Sequence, residues 1–254
     1  MNDFAPDGPS SETIDVLNRR VSVRKFSPEP VPEALVDEIL RAAFRAPTSS
    51  NIQTYSVLKV RDPEARRRLA EVAGGQQHII ECPVYLAFCA DLTRVEYAMA
   101  RNGRSLDNNN FEMGLVSSID AALVGMSAYV AADSVGLKGV LIGALRNDPK
   151  TTAEILGLPR RVYAVFGMCL GYPAEAPIQK PRMDFGCVVH EERYDSAKMQ
   201  AFVDQYDEAL AHHYRSEGRK TTDDSWTHDM DAKFSVRPRD TLRETLRELG
   251  YDFA

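Results

Sequence analysis

Between residues 115 and 135 apolar side chains recur at Leu115, Ile119, Ala122, Leu123, Met126, Tyr129 and Val130, and Gly136 follows. That spacing predicts a long helix, with Gly125 and several alanines allowing a neighbour to approach closely. Residues 55–61 alternate instead, Ser56, Leu58 and Val60 on one face against Tyr55, Val57 and Lys59 on the other, as a half-buried strand does. Residues 84–90 are apolar without a break, which predicts a strand covered on both faces and therefore central. Strands over 139–145 and Val162–Gly171 bring the number to four. Shorter helical periods cover 12–19, with Ile14, Val16 and Leu17 available for burial, and 33–46, with Leu35, Ile39, Ala42 and Ala43 inward and Asp37 paired to Arg41 outward. Pro63 opens a helix over 64–73 that Gly74 and Gly75 close, and Asp148 caps one begun by Pro149. Residues 196–216 and 241–249 also read as helices, the second opened by Thr241 and Glu244 as a capping box. Residues 217–240 are rich in Arg, Lys and Asp and are expected to form an arm or flap. Residues 1–12 are expected to be a disordered arm, leaving 13–254 as a single domain.

Four strands separated by helices ordinarily suggest a doubly wound parallel sheet. No GxGxxG or GxxxxGK[ST] loop follows any of them, so a dinucleotide-fold or P-loop reading has no support. Thirty-one basic against 37 acidic side chains leave a net charge of −6, which argues against a general nucleic-acid binder. Neither 84–90 nor 121–132 reaches the roughly 20 apolar residues of a membrane-spanning helix, and the N-terminus lacks the basic start of a secretory signal. No membrane partner and a cytoplasmic location are the expectations. Cys82, Cys89, Cys169 and Cys187 form no CxxC pair and read as reduced, mostly buried thiols. His78, His190, His212 and His213 lack metal-ligand spacing, so no metal is expected, and no nucleophile signature is present.

Chemistry has three places to sit. In RRVSVRKF (19–26), Arg20, Ser22 and Arg24 alternate, so an extended segment turns two guanidiniums and a hydroxyl toward one anion, a phosphate for example. A solvated basic stretch fits the same spacing equally well. Lys180 and Arg182 form a second basic point after Pro173 and Pro177, readable also as a surface turn. Two loops, Ser49, Ser50, Asn51 and Gln53, then Gly74, Gly75, Gln76 and Gln77, carry amides that suit the edge of a heterocycle or plain turn chemistry.

Taken in order, RRVSVRKF, RAPTSSNIQTYSV, GGQQHIIECPVYLAFCAD, SVGLKGVLIGALRN, VFGMCLGYP, QKPR, YDEALAHHY and DSW resemble the nitroreductase family, in particular its larger, NADPH-preferring, oxygen-insensitive members and related flavin reductases. The resemblance runs from about Thr13 to the C-terminus. It implies an α+β fold with a mainly antiparallel central sheet, built as an intertwined homodimer with one non-covalent FMN per subunit. Carried over, Arg20, Ser22 and Arg24 correspond to the segment holding the FMN phosphate and ribityl, with Lys180 and Arg182 completing the anion site. Ser49, Ser50 and Gln53 match the serine-rich loop, Gln76 the glutamine of the GGQ turn, and Ile142, Gly143 and Ala144 the segment along the isoalloxazine. Val21 stands where an arginine is usual, and Ala144 where a second glycine is usual.

The implied activity is hydride transfer from NADPH, with NADH as a second candidate donor, to the flavin and then to small-molecule acceptors such as nitroaromatics and quinones, by a ping-pong route. Two other readings stay open: a flavin reductase feeding a partner monooxygenase, and a flavin-binding protein without turnover. Relatives that prefer NADPH carry arginines in the flap at positions corresponding here to Glu217 and Thr222. The basic residues available here are Arg219 and Lys220.

Overall fold

The structure is a computed structural model and describes residues 10–106, 111–236 and 239–253. Most of the expected N-terminal arm lies outside the described residues, and from Glu12 onward the chain is helical. In chain order the elements are α1 (Glu12–Asn18), α2 (Glu33–Ala43), β1 (Tyr55–Lys59), α3 (Pro63–Val72) and α4 (His78–Glu81). There follow β2 (Val84–Asp91), α5 (Thr93–Ala100), α6 (Phe111–Ser134), β3 (Lys138–Ile142), α7 (Pro149–Leu156) and β4 (Val162–Gly171). The chain continues with α8 (Phe185–Val188), α9 (Met199–Ser216), α10 (Ser225–Phe234) and α11 (Leu242–Glu248). Within the described residues the chain divides by its contacts into two compact units: a larger one from Ser22–Pro177 and the segment from Arg239 on, and a smaller one from the residues up to Val21 and those from Ile178 on to 236.

The larger unit is built on a four-stranded sheet in the order β1-β2-β4-β3, every pair antiparallel, as the resemblance implies. β2 is internal, and the unbroken apolar run follows from its two covered faces. Tyr85, Ala87 and Cys89 pack with Leu69 and Ala70 of α3, Ile79 of α4 and Leu145. Leu86 and Phe88 pack with Val36, Ile39 and Leu40 of α2 and Val124, Ala128 and Tyr129 of α6. Phe88 stacks on Phe166 of β4 with ring centroids 5.1 Å apart. Each such buried side chain contributes about 1.5–3 kcal/mol, so the two-sided strand is the anchor of the unit. Cys82, Cys89 and Cys169 are buried free thiols, as their apolar flanks predict, and burial pushes the Cys89 thiol up to about 12. A third cluster joins Leu246 and Tyr251 of the C-terminal segment to Ala90, Leu92 and Tyr163.

The long helix is where expectation and structure part. α6 exists, but the face it turns to the sheet is its small-residue face, with Ala121, Val124, Gly125, Ala128 and Ala132 buried. A Cβ on Gly125 would sit 2.4 Å from the Phe166 ring, and one on Gly114 would sit 2.3 Å from the Phe253 ring. The aromatic rings of the sheet and the C-terminal segment thus occupy the space that missing side chains leave. Leu115, Ile119, Leu123 and Met126 are displaced to the opposite face and are 39–47% exposed. By length and composition α6 is also apolar enough to cross a membrane, unlike the shorter uninterrupted runs. It carries buried Asp120 and Asp133, the latter held by Lys138 Nζ at 2.7 Å.

Other boundaries shift for local reasons. β3 ends at Ile142, and the residues expected to extend it form a 3-10 turn, Gly143–Asn147. β1 shows no alternation, since all five residues are half-buried. α2 ends at Ala43 and buries Val36 and Leu40, while Ala42 is exposed. Asp37 pairs with Lys59 (2.6 Å) and Arg41 with Glu38 (3.1 Å), not with each other. In α1 only Val16 is buried. Asp148 caps α7 through Thr151 N at 3.0 Å, as expected, whereas the Thr241 side chain makes no capping bond to α11. The helices α4, α5 and α8 were not foreseen, and α10 lies inside the stretch expected to be a flap.

Candidate functional site

In the larger unit, the loop after α2 concentrates backbone strain. Ser50, Asn51 and Gln53 have φ of 47°, 56° and 57°, the left-handed region that non-glycine residues avoid. Such conformations cost about 1–3 kcal/mol each and persist only where the surroundings enforce them. Asp120, fully buried on α6, does so: its carboxylate accepts from Ser49 N (3.0 Å), Thr54 N (3.0 Å) and Thr54 Oγ1 (2.8 Å). Arg94 of α5 holds the far end, donating to Gln53 O (3.1 Å), to Tyr55 O, and to Ser56 Oγ and Asp91 Oδ2 (each 3.2 Å). Burial raises the Asp91 carboxyl, but hydrogen bonds from Ser56 and Thr93 and the Arg94 charge outweigh it and hold the group below the usual range. Asp120 and Arg94 were not singled out in the sequence. The signal for Asp120 was an acid in the middle of an otherwise apolar helix. Beside this loop opens a cleft of about 630 Å³ lined by Ile52, Arg94, Val95, Ala98, Met99, Asn102 and Arg104.

Ser22 and Arg24 lie on a segment laid along β3. Ser22 forms a parallel bridge to Gly139 and Val23 N donates to Gly139 O (3.0 Å). Val23 is buried, so the strand alternation turns Ser22 and Arg24 away from the core. Ile142, Gly143 and Ala144 stand at the other end of the same strand, where a Cβ on Gly143 would meet Arg146 Nη2 at 3.3 Å. The Gly74–Gly75 turn, with φ of 78° and 80°, delivers Gln76, whose Nε2 donates to Ala73 O at 3.0 Å. Two residues on, burial and then the Arg24 charge hold His78 below its ordinary range. The His78 Nε2 atom is buried without a hydrogen-bond partner. The loop of Ser49, Ser50 and Gln53 is anchored separately, on α6 and α5.

Arg20, Val21, Lys180, Arg182, Arg219 and Lys220 belong to the smaller unit. There Gln179 Nε2 donates to Asn18 O (2.6 Å) and Arg20 O (3.0 Å), tying the Lys180 segment to the end of α1. Lys180 Nζ donates to the Tyr214 hydroxyl at 3.2 Å, and Arg182 donates to the carbonyls of Lys180 and Pro181 at 3.3 and 3.1 Å. Among the described residues no carboxylate forms an ion pair with Lys180, Arg182, Arg219 or Lys220. Asp207 on α9, buried, accepts from Trp226 N (2.6 Å), Thr227 N (2.9 Å) and Thr227 Oγ1 (2.7 Å) and so fastens the start of α10. Among the described residues no three His, Cys, Asp or Glu side chains gather as metal ligands.

The model of the nitroreductase family matches residues 17–172, and that of the nitroreductase family C-terminal domain matches 180–254. An oxygen-insensitive NADPH nitroreductase of Salmonella typhimurium is 34% identical over 241 residues, covering 95% of this chain and 98% of that protein. An FMN reductase [NAD(P)H] of Bacillus subtilis is 32% identical over 246 residues, covering 95% and 98%. The solved structure of B. megaterium NfrA2 superimposes with a TM-score of 0.92 at 30% identity, covering 96% of this chain and all of that one.

Proposed function

The chain belongs to the nitroreductase family, and on that premise we propose that it is an FMN-dependent NAD(P)H oxidoreductase passing two electrons to nitroaromatics, quinones or related small acceptors. The observation that carries the proposal is made in each unit by itself: among the described residues no carboxylate forms an ion pair with Arg24, beside the amide-bearing Gln76 turn of the larger unit, or with Lys180 and Arg182 of the smaller one. Such cations suit a phosphate, and glutamine amides suit the polar edge of a flavin.

Bound FMN would supply the hydride chemistry, which is why no nucleophile or acid–base pair is needed from the protein. The chain's own tasks are narrower. Ser22 and Arg24, on the segment along β3, offer a hydroxyl and a guanidinium to an anion, and within the smaller unit Lys180 and Arg182 offer positive charge of their own. Gly143 and Ala144, half-buried just past the end of β3, would lie along the ring, with the Ala144 methyl packed on the core. Gln76 keeps its carbonyl oxygen and one amide hydrogen for a ligand, since only one hydrogen is spent on Ala73. Ser49, Ser50 and Gln53 gain a fixed orientation from Asp120 and Arg94. The donor leaves before the acceptor enters, so one opening serves both. Free flavin belongs among the acceptors, because one relative carries the name FMN reductase.

The donor is NADPH with a modest advantage over NADH, since Glu217 and Thr222 stand where NADPH-preferring relatives carry arginines. A second copy of the chain covers the Leu115, Ile119, Leu123 and Met126 stripe of α6, making a homodimer that works in the cytoplasm. Sedimentation should give a mass near twice 28.3 kDa, and a single-chain mass at micromolar concentration would contradict the dimer. The site is tested by Arg24→Ala. A charge-assisted hydrogen bond is worth about 1.5–3 kcal/mol, so FMN affinity should fall roughly ten- to a hundredfold while riboflavin, which lacks the phosphate, binds as before. Equal losses for both flavins would refute the phosphate role.

A further inference from the structure

Helix α9 ends in a closure that places one side chain over another. Gly218, with φ of 72°, takes the left-handed position; its N–H donates to Arg215 O (2.9 Å) and the N–H of Arg219 donates to Tyr214 O (2.9 Å). This paired bonding brings the residue after the glycine against the residue that supplies the carbonyl. Here those residues are Arg219 and Tyr214, and the guanidinium carbon lies 4.1 Å from the centroid of the tyrosine ring. Lys180 meets the same ring, its Nζ donating to the hydroxyl at 3.2 Å and standing 4.9 Å from the centroid. Tyr214 is only 8% exposed, so the platform is fixed.

Of the two acids flanking the turn in sequence, Glu217 lies 3.4 Å from His213 Nε2 without a hydrogen bond, and Asp223 pairs with Arg215. Lys180 and Arg219 share one ring, and among the described residues no carboxylate forms an ion pair with either. Because Lys180 donates to the hydroxyl, the hydroxyl's own hydrogen is left for a further acceptor. We propose that Tyr214 is a positioning residue that gathers Lys180 and Arg219 into one subsite for a phosphate monoester dianion. The inference rests on the FMN and NAD(P)H reading above. The 5′-phosphate of FMN and the 2′-phosphate of NADPH share this chemistry, and the test separates them.

On flavin-depleted protein, FMN and riboflavin binding are measured by titration; on the holoenzyme, kcat/KM is measured for NADPH and NADH. Tyr214→Leu removes the platform, and the expected result is a loss of roughly tenfold in FMN affinity or in the NADPH:NADH ratio, with riboflavin binding and NADH turnover retained. Tyr214→Phe keeps the ring for Arg219 and loses the Lys180 partner, so it should fall less. A loss confined to FMN assigns the flavin phosphate, and a loss confined to the ratio assigns the nicotinamide donor's phosphate. Should Tyr214→Leu fail to fold, Gly218→Ala displaces Arg219 with the ring intact and should lower the same phosphate-dependent quantity.

The positioning role is overturned if both quantities stay within about twofold in the folded variants, or if riboflavin and NADH suffer equally. Lys180→Ala separates the two levels of the argument. If it weakens FMN but not riboflavin while Tyr214→Leu lowers neither FMN affinity nor the NADPH:NADH ratio, only the positioning role falls. If Lys180→Ala leaves FMN binding unchanged as well, the phosphate role of Lys180 in the underlying reading falls with it.

Discussion

Two buried aspartates, Asp120 in the larger unit and Asp207 in the smaller, use the same three donors in different service. Each sits on a long helix and accepts from two backbone N–H groups and one threonine hydroxyl, at 2.6–3.0 Å. Asp120 enforces a conformation the chain resists, the left-handed run through Ser50, Asn51 and Gln53. Asp207 reinforces one the chain favours, the first turn of α10, whose free N–H groups attract a carboxylate in any case. A buried acid therefore does not by itself mark a functional loop. What separates the two is whether the held backbone would relax once released, and only the Ser49–Gln53 loop would.

Asp120→Ala should have the largest effect. It strands three donors, each costing about 1–3 kcal/mol when unsatisfied, and chemical denaturation should report a loss of at least about 3 kcal/mol with flavin affinity falling too. A stable Asp120→Ala protein with unaltered flavin binding would remove the loop from the site. Next comes Asp91, which anchors Arg94 and, through it, the end of the same loop. Its carboxyl lies below the unfolded value, so it contributes stability above the ordinary carboxylate range that is lost as pH falls through the lowered value. Acid unfolding of Asp91→Asn should show a shallower dependence on pH in that window, and an unchanged profile would mean that other carboxylates dominate. Asp207→Ala should cost about 1–2 kcal/mol, in the range of a lost cap. Trp226, the sole tryptophan, packs edge-on to Tyr206 with centroids 6.0 Å apart, so its fluorescence should change. Retained emission would show that α10 is held by other contacts. The smallest effect belongs to Gly218→Ala, about 1–2 kcal/mol or less for an alanine at positive φ, read as a small drop in the thermal midpoint.

The contrast between these sites also explains what the sequence revealed. β4 was legible to the residue, and the central place of β2 was legible because a strand covered on two sides leaves a continuous apolar run. The identity of the buried face of α6 was not. Periodicity weights leucine and isoleucine, while the packing of Phe166 and Phe253 demanded glycine and alanine, so the heavier residues went to the other face. Ser22, Arg24 and the amide turns were legible as polar spacings, and only the family resemblance proposes a ligand for them. Asp120, Asp207 and Tyr214 were not, because each acts on residues 19 to 71 positions away or across a helix end, where no local pattern records the partner. The same limit applies to Arg219, whose placement depends on the conformation of Gly218.

The central claim is that this chain moves hydride equivalents through a bound flavin, and anaerobic titration of the purified, FMN-loaded protein with NADPH tests it most directly. The flavin's visible absorption should bleach at one donor per flavin and return when a nitroaromatic or quinone is added. A protein that binds no FMN, or whose flavin absorption NADPH and NADH leave unchanged, would contradict the account.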